Sequence, residues 1–251
     1  MVELSMQNAD VSLDEPVLVE GLPGVGLVGK IAADHLVERL DMAYYAGVES
    51  EGLPEVAVYE ESARQVRPPV RLYADGERDL LVLQSDIPVS RTAAADFAAG
   101  LTDWVAENDC LPIYLSGLPN EEYDATEVPD LYGVAAGSAG GLLDEQDVDR
   151  PPEAGVVGGP AGALLNRAAD RGIGAIGLIA ESDPQFPDPV SARRIITDGI
   201  EPLAGIDVDT DELVEEAEQI KEQKEKLAQR MRQVGEEESS QAAPQGRGMF
   251  Q

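Results

Sequence analysis

The chain has 251 residues and a formal net charge of −31, from 49 Asp and Glu against 18 Lys and Arg. A protein of this charge repels the phosphate backbone of nucleic acids, which argues against a nucleic-acid partner. The apolar fraction is 43%, and no apolar run approaches the roughly 18 residues of a membrane span. The composition therefore predicts a soluble, cytoplasmic protein with no membrane partner.

The acidic residues are spread along the whole chain, and lysine occurs at only four positions: Lys30, Lys221, Lys224 and Lys226. An acidic surface poor in lysine is typical of the cytosol of salt-loving organisms, where concentrated ions screen the repulsion. The alternative is an acidic protein from an ordinary cell. Because the charge is not gathered in one tail, we expect a halophilic protein.

The hydrophobic pattern predicts alternating strands and helices. Strands are predicted over 17–20, 43–49, 55–60, 70–74, 80–84, 111–115, 131–136, 154–157 and 174–180, and helices over 27–40, 91–107, 161–171 and 190–204. Continuous apolar runs such as residues 80–83 suit strands that are covered on both faces. Residues 43–75 contain several strands and no strong helix, which favours an antiparallel portion at one edge. We therefore expect one three-layer α/β domain with a mixed sheet.

A glycine turn follows the first predicted strand. Residues 24–29 spell G-x-G-x-x-G and residues 24–30 spell G-x-x-x-x-G-K, two patterns that hold phosphates at a helix N-terminus. The nucleotide-hydrolysing pattern needs Ser or Thr where this chain has Ile31, and the only support for the dinucleotide pattern is Glu49. Close packing of strand on helix is the favoured interpretation, with phosphate binding as the alternative.

Polar residues and glycines are predicted at the carboxyl ends of the strands, where open α/β sheets bind ligands. This possible ligand crevice comprises Glu20, Gly21, Gly24, Gly26, Ser85, Asp86, Ser116, Glu181 and Ser182. The only histidine, His35, has Ala32 and Leu36 beside it on a predicted helix, which favours a structural role. Cys110 is the only cysteine and is predicted at the edge of the core. We assign no catalytic residue, metal or cofactor.

The C-terminal region differs from the rest. Seven residues, all apolar except Lys224, recur by four and three along one seam: Leu213, Ala217, Ile220, Lys224, Leu227, Met231 and Val234. Asp209 followed by Glu212 predicts a capping-box start, and Gly235 predicts the end of this helix. We divide the chain into a core domain over 1–208, an amphipathic helix over 209–235 and a tail over 236–251. A helix of this kind needs a partner, which predicts a homo-oligomer.

Residues 236–248 are charged or small and have no apolar periodicity, which predicts a disordered tail. The chain then finishes on Met249, Phe250 and Gln251. Two apolar side chains beside a free carboxylate could be a frayed end, or could enter a pocket on a partner.

Several segments together resemble the PAC2 family, the archaeal and bacterial relatives of eukaryotic proteasome assembly chaperones. They are EGLPGVGLVG at 20–29, SDIPV at 85–89, YLSGLP at 114–119, GGPAGALL at 158–165 and GIGAIGLIAES at 172–182. The resemblance extends over roughly residues 10–205 in element order.

This resemblance implies a function for the end of the chain. Archaeal members are homo-oligomers that bind α-ring pockets of the proteasome core particle through a C-terminal hydrophobic-tyrosine-any motif. Met249-Phe250-Gln251 looks like that motif with phenylalanine in place of tyrosine. We therefore expect an ATP-independent assembly chaperone, core-particle activator, or both, of haloarchaeal type. The family's fold is similar to that of nucleoside phosphorylases and related hydrolases, so the alternative is a small-molecule-binding protein or enzyme that uses the strand-end crevice.

Overall fold

Alternating apolar side chains give the central sheet two buried faces. On the strand that contains residues 80–83, Leu80 and Val82 enter one core cluster, while Leu81 and Leu83 enter the other. Successive side chains of a strand point to opposite faces, so both faces need a cover of helices. The structure is a computed structural model that describes residues 2–8, 11–59, 64–90, 92–120 and 128–223.

The described strands are β1 (Val2–Met6), β2 (Val17–Gly21), β3 (Ala43–Ser50), β4 (Val58–Tyr59), β5 (Val66–Arg67), β6 (Val70–Asp75), β7 (Leu80–Ser85), β8 (Leu111–Pro119), β9 (Leu131–Ala136) and β10 (Ala175–Ser182). Eight of them form a sheet of order β1-β3-β6-β7-β2-β8-β10-β9, and β4 pairs with β5 separately. Strands β7, β2, β8 and β10 are parallel. Strands β1, β3 and β6 form the predicted antiparallel portion at one edge.

The described helices are α1 (Val28–Arg39), α2 (Ala94–Glu107), α3 (Gly140–Glu145), α4 (Gly159–Arg171), α5 (Pro189–Ile195), α6 (Glu201–Ala204) and α7, over residues 211–223. Buried side chains of α1 and α5 belong to one core cluster, and those of α2 and α4 belong to the other. The three-layer mixed α/β architecture expected from the sequence is thus confirmed.

Some predicted elements differ from the structure. The strand predicted at 154–157 is wrong, because these residues are a loop in which Val156 is 96% exposed. These residues have the apolar pattern of a buried strand, but they do not form a strand of the sheet. Of the described part of the strand predicted at 55–60, only Val58–Tyr59 is a strand, and α2 begins at Ala94 instead of residue 91. Strand β1 and helix α3, which are short, were not predicted.

Helix α7 starts against the core domain. Leu213 is buried in the same cluster as α1, while Ala217 and Ile220 are half-buried and their neighbours on α7 are mostly exposed. Of the predicted capping box, Asp209 Oδ1 accepts the N–H of Asp211 at 2.9 Å, but Glu212 pairs with Arg39 on α1 instead of capping. The later seam positions, Gly235 and the tail lie outside the described residues.

Candidate functional site

A cleft of about 950 Å³ opens at the carboxyl ends of β2, β8 and β10. Residues 22–25 after β2 and residues 115–119 of β8 form one wall, and residues 151–161, which lead into α4, form another. From β2 the chain passes through α1 to β3, on the side of β2 where β7 lies, whereas from β8 it continues to β9 and β10 on the other side. The cleft therefore lies at a topological switch point, the place where open α/β sheets bind ligands.

Glu20, at the end of β2, is the buried acidic group of the cleft. Its side chain is 1% exposed and accepts backbone N–H groups of Leu22 at 3.0 Å and Leu115 at 3.2 Å. Burial raises the pKa of Glu20 to about 8, although the two hydrogen bonds oppose the rise. Near neutral pH the carboxyl therefore holds a proton and can act as donor or acceptor.

The other lining residues are mainly apolar. Leu22, Pro23, Val25, Leu115, Leu118, Val134, Val156, Val157 and Ile179 are among them. Further polar side chains come from Ser116, Tyr132, Glu153 and Glu181. The Tyr132 hydroxyl donates to Asp130 at 2.9 Å. None of the described lining residues is Lys, Arg or His.

The predicted crevice residues fall into two groups. Glu20, Gly24, Ser116 and Glu181 line the cleft together. The remaining residues, Gly21, Gly26, Ser85, Asp86 and Ser182, have packing or ion-pair contacts instead.

Gly21 and Gly26 allow close approach of the backbone. A Cβ on Gly21 would overlap the Cβ of Ala33, and one on Gly26 would overlap the Oγ of Ser182. Gly26 also has φ of +60°, in the left-handed region. Gly24 differs, since a Cβ there would have no atom within 4 Å. Two of the glycines thus have the close-packing role favoured from the sequence.

Ser85 and Asp86 follow β7 and are held by local partners. The buried Ser85 hydroxyl donates to the carbonyl oxygen of Ile87 at 2.7 Å. Asp86 pairs with Arg71 at 2.7 Å and with Lys30 at 3.4 Å. Lys30, the lysine of the G-x-x-x-x-G-K pattern, also pairs with Asp34 at 2.8 Å. Its ammonium is thus held by carboxylates, which disfavours the phosphate-binding interpretation.

The wall of the cleft that comes from β9 and from the loop before α4 was not predicted from the sequence. Tyr132 and Val134 come from β9, and residues 151–160 come from the loop before α4. The Pro- and Gly-rich composition of that loop, PPEAGVVGGP, was an available signal for an irregular segment. Its position over the strand ends depends on tertiary packing and had no local signature.

The histidine and the cysteine have structural environments. His35 is buried, and its Nε2 lies 2.7 Å from the carbonyl oxygen of Asp209, as expected for a satisfied core histidine. Burial raises the pKa of the Cys110 thiol to about 12, so the thiolate nucleophile is not formed near neutral pH. Within the described ranges, no cluster of three or more potential metal ligands occurs. No helix in those ranges could span a membrane.

Met249, Phe250 and Gln251 lie outside the described residues, so docking through the C-terminus stays a prediction.

Comparison with known proteins identifies the family. The PAC2 family model matches residues 18–228. An uncharacterised protein of Methanocaldococcus jannaschii is 28% identical over 225 residues, which cover 89% of this chain and 90% of that protein.

Two solved structures from Pyrococcus furiosus have a similar fold. PbaA, an archaeal homolog of proteasome-assembly chaperone, has a TM-score of 0.77 and 25% identity, covering 93% of this chain and 99% of PbaA. PbaB, an archaeal proteasome activator, has a TM-score of 0.75 and 24% identity, covering 90% of this chain and 98% of PbaB. Since the family model spans most of the sequence, the chain belongs to the PAC2 family.

Proposed function

We propose that this protein is an ATP-independent proteasome-interacting protein, acting as an assembly chaperone of the core particle, an activator of it, or both. The observation that carries the proposal is PAC2 membership over residues 18–228 in a chain that ends in Met-Phe-Gln. The similarity to PbaA and PbaB supports it, because one is a homolog of an assembly chaperone and the other an activator.

In the proposed mechanism, the last three residues dock into pockets of the α-ring. The terminal carboxylate pairs with a basic group, and Met249 and Phe250 bury apolar surface against the pocket walls. The 13 residues from 236 to 248 have a root-mean-square span of roughly 20 Å if they behave as a flexible chain. That span is enough to carry the motif from the end of the predicted helix to a neighbouring molecule.

We also expect a homo-oligomer, because the seam that starts at Leu213 requires a partner over its full predicted length. Several tails on one particle raise the effective concentration of each further tail at the ring and strengthen binding through avidity. Light scattering at high salt measures the mass directly. A monomer mass across micromolar concentrations would contradict the oligomer.

Binding to purified core particle, measured together with peptide hydrolysis at matched high salt, tests the docking. Phe250→Ala should remove about 2 to 3 kcal/mol per engaged tail through lost aromatic burial, and one residue added after Gln251 should weaken binding by moving the carboxylate. Phe250→Tyr should preserve or improve binding. Glu107→Gln, at the exposed end of α2, is the matched control. If Phe250→Ala and deletion of residues 249–251 leave both readouts unchanged, the C-terminal mechanism is wrong.

A further inference from the structure

The cleft at the carboxyl ends of β2, β8 and β10 has the size and lining of a site for a small molecule. We propose that this cleft binds a small organic cation, a charged nitrogen group carried on an apolar body. The site lies in the described domain and uses none of the C-terminal residues, so it is independent of the proposed docking mechanism.

The volume and the walls define the apolar part of the ligand. About 950 Å³ is within the range of roughly 300 to 1,000 Å³ that is typical of small-molecule pockets. Residues 151–161 form a wall with several prolines and with Val156 and Val157, opposite the apolar side chains of β8. A hydrocarbon or aromatic body of modest size would bury most of its surface between these walls.

The charges define the polar part of the ligand. The acidic residues Glu20, Glu153 and Glu181 line the cleft, together with the hydroxyl-bearing residues Ser116 and Tyr132. The described lining residues include no side chain that carries a positive charge, and the nearby Lys30 is paired with Asp34 and Asp86. Carboxylates can pair with an ammonium or guanidinium group, whereas a phosphate or carboxylate ligand would find no counter-charge among the described lining residues.

Glu20 gives the site a specific pH dependence. Because its pKa is about 8, the carboxyl must release a proton to pair with a cation near neutral pH. Its titratable neighbours are Tyr114, its partner on β8, whose hydroxyl pKa is raised by burial and by Glu20, and the cleft residues Tyr132, Glu153 and Glu181. Affinity for a cation should therefore increase as pH rises toward 8, by at most tenfold per pH unit.

Three probes that share a phenyl ring and differ in charge test the assignment: benzylguanidinium, benzyl alcohol and benzoate. Each is titrated into the full chain at a salt concentration that keeps it folded, with binding followed by calorimetry and amide NMR shifts. We expect benzylguanidinium to bind and to shift resonances of residues 20–25 and 151–161. Its affinity should rise three- to tenfold between pH 6.5 and 8.5. Equal or tighter binding of the alcohol or benzoate, or no binding of benzylguanidinium, would overturn the proposal.

Variants separate the cleft from the rest of the acidic surface. Gly24→Leu should fill the cleft without a clash and lower the affinity for benzylguanidinium at least tenfold, since a Cβ at Gly24 meets no atom within 4 Å. Glu181→Gln should lower it several-fold, while Glu107→Gln, on the exposed end of α2, should leave it unchanged. Glu20→Gln should remove the pH dependence. If Glu20→Gln does not fold, Gly24→Leu serves as the test of the site. Unchanged binding of benzylguanidinium to Gly24→Leu would refute the proposed site.

Discussion

The Nε2 atom of His35 lies 2.7 Å from the backbone carbonyl oxygen of Asp209, 174 residues further along the chain. This contact joins the middle of α1 to the residues just before α7. One helical turn later on α1, Arg39 pairs with Glu212, and Leu213 enters the core beside them. The C-terminal helix therefore begins as part of the core domain.

His35→Leu should destabilise the protein by about 1 to 3 kcal/mol, because the Asp209 carbonyl loses its buried partner. Thermal or denaturant unfolding at fixed salt measures the loss. Glu212→Gln is the control at the same junction. Its ion pair with Arg39 is partly exposed, so it should cost less than about 1 kcal/mol. Equal losses in the two variants would contradict the importance of the histidine contact.

Two glycines of the turn after β2 should differ in how strongly replacement by alanine destabilises the protein. Gly26→Ala should destabilise the protein by roughly 2 kcal/mol or more, because it places a Cβ at φ of +60° and against Ser182. Gly24→Ala should change the free energy of unfolding by less than about 1 kcal/mol, since its surroundings are open. The denaturant midpoints of Gly26→Ala and Gly24→Ala measure the difference directly. Similar midpoints for the two variants would contradict the described packing at Gly26.

Stability should depend on pH through Glu20. The pKa is about 8 in the folded protein and 4.5 in the absence of burial, so between these values the folded state holds a proton that the unfolded chain releases. This contribution is complete below 4.5 and is lost as pH rises to about 8, with a slope of at most about 1.4 kcal/mol per unit.

The measurement is the free energy of unfolding from pH 5 to 8.5 at constant salt. The wild-type protein should lose stability relative to Glu20→Gln as pH rises, whereas Glu107→Gln should follow the wild-type curve. Parallel curves for the wild-type protein and Glu20→Gln would show that the Glu20 carboxyl is not held protonated by the fold.

The parts of the fold that were predictable are those with a strong local signal. Residues 80–83 are apolar without interruption, and the structure places them in a strand buried on both faces. The loop at 154–157 has the apolar composition of such a strand. Its valines line the cleft instead of joining the sheet, and that role is not visible in the sequence. Strand β1 has the polar residues Glu3 and Ser5 and gains its place from pairing with β3, a contact with no local signal.

The candidate site was predictable to a similar extent. Glu20, Ser116 and Glu181 could be placed together because the carboxyl ends of parallel strands meet at one edge of a sheet. The partners of Asp86 could not be predicted in this way, since Lys30 and Arg71 reach it from separate elements. A catalytic pair of carboxylates could not be chosen in this way, because 49 acidic residues are spread along the whole chain.

We expect the protein to require salt. A net charge of −31 should destabilise both the fold and the proposed oligomer through self-repulsion when salt is diluted. The Debye length falls from about 10 Å at 0.1 M to about 3 Å at 1 M, so the melting temperature should rise steeply with potassium chloride. Sucrose at matched water activity serves as the uncharged control. A melting temperature that does not change between about 0.1 M and multimolar salt would contradict halophilic adaptation.

Helix α1 runs between the turn that lines the cleft and the start of α7. Its 12 residues extend about 18 Å, from Val28, three residues after the cleft residue Val25, to Arg39, which pairs with Glu212 of α7. A ligand in the cleft would therefore lie near one end of α1, whereas the segment of the proposed C-terminal docking is connected to the other end through α7. Coupling between ligand binding in the cleft and C-terminal docking would require α1 to have two positions that the two events favour differently. With α1 in one position, the coupling free energy between them should be close to zero. Each could then be saturated without changing the affinity of the other.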